Sequence, residues 1–190
     1  MTPLQAKAVT EEVMALYRNY GEEDYIGEAV SQLEHMCQAA LLAETQGYDE
    51  EVILAAFFHD IGHLCEHIMT VSDMEGFGVV DHEYIGANFL RDKGYSEKIA
   101  SLVEGHVQAK RYLTFKNPAY EASLSLASKE TLRQQGGPMN AKEAEDFENN
   151  DMYQLFIRIR EWDDQAKIVD VPLPNLDKYF QMSFRHLLSQ

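Results

Sequence analysis

Apolar residues recur at three- and four-residue spacing along most of the chain, the period of a helix with one buried face. Val9, Val13, Leu16, Tyr17 and Tyr20 form one stripe, and Leu33, Met36, Cys37, Ala40 and Leu41 form another. Residues 51–59 are apolar almost throughout, from Val52 to Phe58, which predicts a buried central helix. Ile85 with Phe89 and Leu90, Ile99 with Leu102 and Val103, and Leu155 with Phe156, Ile159 and Trp162 continue the pattern. Strand-like alternation is scarce, and residues 168–174 amount at most to a short extended stretch. Breaks are expected at Gly47, Gly62, Gly94, Gly136-Gly137-Pro138, and Pro172 to Pro174. The expectation is an all-α bundle of about eight helices, one domain over residues 1–190. Its longest irregular segment, Leu64 to Asp81, carries Gly76 and Gly78 and is long enough to cover a site.

Composition and charge adjust this picture. The apolar fraction is 45% over 190 residues, sufficient for one sizeable core, and no apolar run reaches the length of a membrane span. The start lacks the layout of a secretory signal, since Glu11 and Glu12 fall where an apolar stretch would be needed. Cys37 and Cys65 are too few for a disulfide framework and read as reduced thiols of a cytoplasmic protein. The formal net charge is -16, which repels nucleic acid and anionic membranes and argues against both as partners. It also opposes an anionic substrate unless local cations or metal ions overcome it. No exposed apolar heptad seam stands out, so a monomer is expected.

Against this background, several ionisable residues sit where core residues belong. His106 follows Ile99, Leu102 and Val103 at helical spacing, His82 shares a face with Ile85 and Phe89, and Asp163 continues Phe156 and Ile159. His59 and Asp60 end the most apolar helix. A buried carboxylate is costly unless it is paired or bound to metal. Any one of these histidines is more simply a satisfied core residue. A shared metal site accounts for all of them together, and imidazoles with carboxylates suit iron, manganese or zinc. No two cysteines are close in sequence, which disfavours a thiolate zinc site. Adjacent residues on a helix diverge by about 100°, yet His59 and Asp60 could both reach ions lying beyond the helix end, and a carboxylate has two oxygens with which to bridge them.

The series His35, His59-Asp60 and Asp163 resembles the H…HD…D signature of the HD superfamily, and the added His82 and His106 resemble its two-metal subset. Longer stretches sharpen the likeness. Asp24-Tyr25-Ile26-Gly27-Glu28, His59 to His63, Glu104 to Leu113 and Gln135-Gly136-Gly137-Pro138-Met139 are similar to the phosphonate-degrading HD oxygenases of the PhnZ and TmpB type. The likeness runs from about residue 20 to about residue 165. It implies an HD-domain helical bundle around a dinuclear site, an Fe(II)/Fe(III) pair, and O2 as co-substrate. The implied substrate is a small 1-hydroxyphosphonate bearing an amino or trimethylammonio group at C2, giving phosphate and glycine or glycine betaine.

By the same resemblance, Asp60 bridges the two irons, His35, His59 and Asp163 hold one, and His82 and His106 hold the other. Tyr25 caps an open coordination position and Glu28 faces the substrate's cationic end. His63, Lys110, Ser128 and Arg160 grip the phosphonate. Lys110 lies four residues after His106 and Arg160 three before Asp163, so a locally cationic site would answer the acidic surface. The plainer alternatives are surface cations reaching solvent, and a commonplace helix start at Tyr25-x-x-Glu28. In Cys65-Glu66-His67-Ile68-Met69, apolar Ile68 and Met69 would shape the amine end and favour a trimethylammonium. His67 and His186 have no part in the scheme, and Tyr48, Tyr153 and Tyr179 read as packing. Competing functions are a two-metal phosphohydrolase, an inositol-oxygenase-like enzyme, and a sensory domain that keeps its metals without turnover.

Overall fold

The computed structural model describes residues 1–25 and 27–190, and among these the regular structure is helical. In chain order the helices are α1 (Pro3–Tyr20), α2 (Gln32–Thr45), α3 (Glu50–Phe58), α4 (Ile61–Leu64), α5 (His82–Asp92) and α6 (Glu97–Lys116). They continue with α7 (Pro118–Ser123), α8 (Leu126–Gln134), α9 (Ala141–Glu148), α10 (Tyr153–Gln165) and α11 (Asp177–Ser189). A single 3-10 turn, Cys65–His67, follows α4. The all-α expectation holds, but eleven helices replace about eight. The additional ones are short. In α7, for example, the Asn117 side chain caps the start and Pro118 occupies the first turn, so capping chemistry makes a helix too brief to show an apolar period.

Helix α3 is the centre of the core. Every side chain from Val52 to Phe58 is buried, and α2, α6, α10 and α11 pack around it. Tyr17 from α1 and Tyr179 from α11 stack on Phe57, with ring centroids 4.4 Å away in each case. Ser31 and Glu34 form a reciprocal capping box at the start of α2, which fixes where that helix begins and therefore which way His35, one turn later, points. No strand forms at 168–174; the only bridges among the described residues are Asp24 with Ser31 and Asp73 with Val79.

Gly62, expected to break a helix, lies inside α4 instead. A Cβ there would sit 1.9 Å from the His82 carbonyl oxygen, so glycine is required for α4 and α5 to touch. The other glycine breaks behave as expected, with Gly47, Gly94, Gly136 and Gly137 at positive φ after helix ends.

Candidate metal centre and its cavity

His59 and Asp60 stand where the chain leaves α3 and turns into α4. His59 keeps helical dihedrals, whereas Asp60 has φ -106° and ψ 13°, a change of direction that lets adjacent side chains converge. The Asp60 carboxylate then faces two ways. Its Oδ2 lies 3.5 Å from His35 Nε2 and 3.3 Å from His59 Nε2. Its Oδ1 lies 3.4 Å from both His82 Nε2 and His106 Nε2. Asp163 Oδ1 approaches His35 Nε2 at 3.4 Å. The result is two buried donor groups able to hold an ion, His35–His59–Asp163 and Asp60–His82–His106.

Hydrogen-bond accounting tests whether cations fit there. Nδ1 of His35 meets the Ala166 carbonyl at 2.9 Å, Nδ1 of His59 the Ala56 carbonyl at 2.8 Å, and Nδ1 of His106 the Val103 carbonyl at 2.6 Å. A carbonyl only accepts, so each Nδ1 carries the proton and, in a neutral ring, each Nε2 presents a bare lone pair. His35 and His59 aim those lone pairs at each other from 3.0 Å, and His82 and His106 face each other at 3.2 Å. Asp60 Oδ2 and Asp163 Oδ1 are buried beside them with no hydrogen-bond partner. Lone pairs and carboxylate oxygens converging in a dry interior repel unless a cation lies among them. Burial works against charging His35, yet its bonds to Asp163 and Asp60 prevail and raise its pKa to about 9. Separations of 3.0–3.5 Å match the spacing of ligands around a metal with bonds of about 2.1 Å. The donor set fits two ions of the iron, manganese or zinc kind.

His82 differs from the other three. Its Nδ1 has no hydrogen-bond partner, and Glu83 Oε2 lies 3.6 Å from it. Glu83 is itself buried, with that oxygen unpartnered.

One cavity of about 90 Å³ opens onto these groups, and Asp60, His82, His106 and Asp163 form part of its wall. A water needs roughly 10–15 Å³ in this measure, so the space suits a ligand of few heavy atoms. The same wall contains Tyr25, Glu28, His63, Lys110, Ser128 and Arg160. Thus the structure brings together the residues expected to hold metal, cap it and bind the phosphonate, with His35 and His59 outside the cavity lining.

The two cations do not reach solvent: Lys110 and Arg160 are each 3% exposed. Lys110 Nζ donates to Thr131 Oγ1 at 3.0 Å, and burial with the neighbouring Arg160 charge lowers its pKa to about 7. Arg160 is held on three sides. Nη1 donates to Asp163 Oδ2 at 2.5 Å, Nε to the Tyr120 hydroxyl at 2.9 Å, and Nη2 to Asp164, to which Tyr120 also donates. Asp163 thus belongs to one donor group and also holds Arg160. The His63 ring stacks on His82 at 4.2 Å, and its Nδ1 accepts from the Val79 N–H at 3.1 Å. Nε2 therefore carries the proton, and burial with the nearby His82 lowers the pKa of His63 to about 3.

Tyr25 and Glu28 are not on a helix. They belong to a turn between α1 and α2, closed by the Asp24–Ser31 bridge and by a Glu28 N–H to Tyr25 carbonyl bond of 2.9 Å; Ile26 of that motif lies outside the described residues. The Tyr25 ring stacks on His35 at 4.0 Å, and burial together with Asp60 pushes its phenol well above the usual range. Glu28 Oε1 pairs with Lys167 Nζ at 2.9 Å, a cation that no helical pattern revealed because it lies beyond the end of α10.

The expected role of Ile68 and Met69 is overturned. They are 50% and 42% exposed, and the loop meets the cavity through Glu66, Asp73, Met74, Phe77 and Gly78 instead. Gly78 has φ +100°, and a Cβ there would press on His63 Cε1 at 2.6 Å. Gln32 and Thr131 are further lining residues that sequence reasoning missed, and Gln135 lines the cavity beside them. Gln135 opens the Gln-Gly-Gly-Pro-Met segment, whose Gly137 carbonyl accepts from Arg111 Nε at 2.9 Å. His67 stacks on Tyr20 at 3.8 Å and meets Glu23 Oε2 at 3.0 Å, and His186 Nε2 accepts from the Ser96 N–H at 3.1 Å, both outside the two buried donor groups. Tyr48 packs edge-on against Trp162, with centroids 4.9 Å apart.

The family model described as "HD domain" matches residues 33–146. A protein of Acanthamoeba polyphaga mimivirus described as uncharacterised is 41% identical over 92% of this chain and 80% of its own length. A [1-hydroxy-2-(trimethylamino)ethyl]phosphonate dioxygenase (glycine-betaine-forming) of Leisingera caerulea is 38% identical over 88% of this chain and 84% of its own. A hydroxymethylphosphonate dioxygenase of Gimesia maris is 36% identical over 92% and 87%. None of the helices in the described residues is long and apolar enough to cross a membrane. With the HD signature gathered into one buried centre and similarity extending over most of both curated dioxygenases, the chain belongs to the HD-domain oxygenases of the PhnZ/TmpB type and is an enzyme of the oxidoreductase class.

Proposed function

We propose that this chain is a di-iron oxygenase that cleaves the carbon–phosphorus bond of a small 1-hydroxyphosphonate carrying a cationic group at C2. The reaction balances as hydroxyphosphonate plus O2 giving a carboxylic acid plus phosphate. The C–H and C–P bonds of C1 break, C1 and phosphorus each gain one oxygen, and dioxygen takes up four electrons. The observation that carries the reading is the pairing of two buried cations, Lys110 and Arg160, with two metal-ready groups on one cavity wall.

In this reading His35, His59 and Asp163 would hold one iron and His82 and His106 the other, with Asp60 within reach of both. An Fe(II)/Fe(III) pair bound there supplies the activation of dioxygen and the redox steps. The chain's own residues bind and orient. Arg160 and Lys110 neutralise the phosphonate, Arg160 through the N–H groups that Asp163, Asp164 and Tyr120 leave free. Ser128 and the Nε2–H of His63 donate to the same group. Glu28 keeps one carboxylate oxygen beyond the Lys167 pair for the substrate's cation. Tyr25, flat against His35, shields the first metal group from water until substrate arrives. The 190 residues are read as one domain and a cytoplasmic monomer: one core joins α1 to α11, and both cysteines are buried thiols, raised by burial to about 12.

A two-metal phosphohydrolase would use the same ligands without oxygen. The deciding experiment is anaerobic reconstitution with iron, then phosphate release from a 2-ammonio-1-hydroxyethylphosphonate with and without O2. Release only with O2 is expected. Release from a phosphate ester without O2, and none from the hydroxyphosphonate with it, would reject the oxygenase reading.

A further inference from the structure

Gln32, the first residue of α2, is 6% exposed and lines the cavity. Its side-chain oxygen is buried without a hydrogen-bond partner. The residue is not loosely placed: its backbone N–H donates to the Glu23 carbonyl at 2.9 Å, and the Ser31–Glu34 capping box fixes the helix start around it. An amide oxygen left bare in a firm wall lacks a donor, and a buried unsatisfied acceptor is unfavourable.

The position of Gln32 limits what that donor is. The cations that answer the phosphonate come from α6 and α10, and Ser128 comes from α8. Gln32 comes instead from the start of α2, four residues after Glu28 and three before His35. A phosphonate oxygen would meet the amide oxygen acceptor to acceptor. The Glu28 carboxylate is also acceptor-only, and one of its oxygens already holds Lys167. The segment from Glu28 to the start of α2 therefore contributes two acceptor-bearing side chains, Glu28 and Gln32, to the cavity wall. A primary ammonium has three N–H donors, whereas a trimethylammonium has none.

We infer that Gln32 binds substrate, accepting a hydrogen bond from an N–H on the C2 substituent, so that the site takes a primary ammonium in preference to a trimethylammonium. The inference rests on the hydroxyphosphonate reading above and reverses the preference drawn from Ile68 and Met69. A site built to bond an N–H discriminates against the analogue that lacks it, because its own acceptor is then left unpaired.

The test compares phosphate release from 2-ammonio-1-hydroxyethylphosphonate and its N,N,N-trimethyl analogue by iron-reconstituted protein. The primary amine is expected to have about tenfold or higher kcat/KM. Gln32→Leu should remove that advantage by lowering the primary amine's kcat/KM while leaving the trimethyl analogue within about twofold. Gln32→Glu keeps an acceptor and should restore the preference, which separates a lost hydrogen bond from a damaged fold. Preference for the trimethyl analogue, or an equal loss with both substrates in Gln32→Leu, overturns the inference. The second result would assign Gln32 to the shared 1-hydroxyl or to structure. If neither compound releases phosphate, the hydroxyphosphonate reading fails, and oxygen-free calorimetry decides Gln32 by itself. Tighter binding of 2-aminoethylphosphonate than of its trimethyl counterpart, erased by Gln32→Leu, supports the inference; equal affinities overturn it.

Discussion

The His35 imidazole donates its Nδ1–H to the Ala166 carbonyl at 2.9 Å, joining positions 131 residues apart in sequence. The bond turns Nε2 of His35 toward the metal site and ties α2 to the end of α10. The next residue, Lys167, pairs with Glu28, and Ile168 exchanges two hydrogen bonds with Gln38 at 2.9 and 3.0 Å. The segment after α10 thus sets the orientation of His35, in one donor group, with its backbone, and of Glu28, in the cavity wall, with a side chain.

Asp60 touches both donor groups and His106 only one, so their substitutions should differ in kind. Asp60→Ala is expected to lose both ions on desalting, whereas His106→Ala should retain one per chain. Metal content by mass spectrometry reads this directly. Two ions retained by Asp60→Ala would exclude a bridging carboxylate. Chelating the ions should also lower the melting temperature, because ligands bound only by the native state stabilise it by about 2.7 kcal/mol at a hundredfold excess over Kd.

Glu83 should orient His82. Three of the four histidines have Nδ1 fixed by a backbone carbonyl, and His82 has only the Glu83 carboxylate nearby, at 3.6 Å. Removing such a partner typically weakens metal binding about 10–100-fold. Glu83→Ala should therefore weaken one ion by that factor and leave the other unchanged in a metal titration. Glu83→Gln, which keeps an acceptor, should lose less. Unchanged binding of both ions in Glu83→Ala would show that His82 is oriented by packing alone.

Lys110 gives phosphonate binding a pH signature. Its pKa is lowered to about 7 by burial and by Arg160, so in the free protein it is charged below pH 7 and mostly neutral at about pH 8. An anion bound against it favours the charged form and raises that pKa. Binding at about pH 8 should then take up close to one proton at Lys110, and at about pH 6 close to none. Calorimetry in buffers of different ionisation enthalpy measures this. Lys110→Met should remove the difference between the two pH values, leaving the ligand's own titration. An identical proton count in wild type and variant would place Lys110 outside the anion site.

Gly78→Ala combines a left-handed backbone with a Cβ 2.6 Å from the His63 ring. The strain should cost about 1–3 kcal/mol and lower the melting temperature by several degrees. Because the displaced ring is His63, KM for the phosphonate should rise as well. A variant that melts early with KM unchanged would leave His63 without a part in binding.

Much of the architecture was legible along the chain. The run from Val52 to Phe58 has no polar face, and it became the buried central helix. His82, His106 and Asp163 were conspicuous because each interrupts an apolar stripe. Helices α4, α7 and α9 were hidden, being too short for a period to emerge, and in α7 and α9 a capping asparagine sets the start. Gly62 was read as a break because sequence separates a glycine that ends a helix from one that lets two helices touch only through the partner, here the His82 carbonyl. Ile68 and Met69 were misplaced for a related reason: apolar character shows that a residue can line a cavity, but the path of the loop decides which ones do.

The sequence alone determined which residues favour water and which avoid it, and therefore the helices, the core and the short roster of ionisable groups obliged to find partners inside it. Tertiary structure decided the pairings. That Asp60 faces two groups at once, that His82 meets a carboxylate where its companions meet carbonyls, and that Lys167 reaches Glu28 all depend on the relative placement of distant helices. Periodicity records only which face of its own helix a side chain occupies, whereas hydrogen bonds and metal coordination depend on distances of a few ångströms between elements, which appear only once the helices have packed.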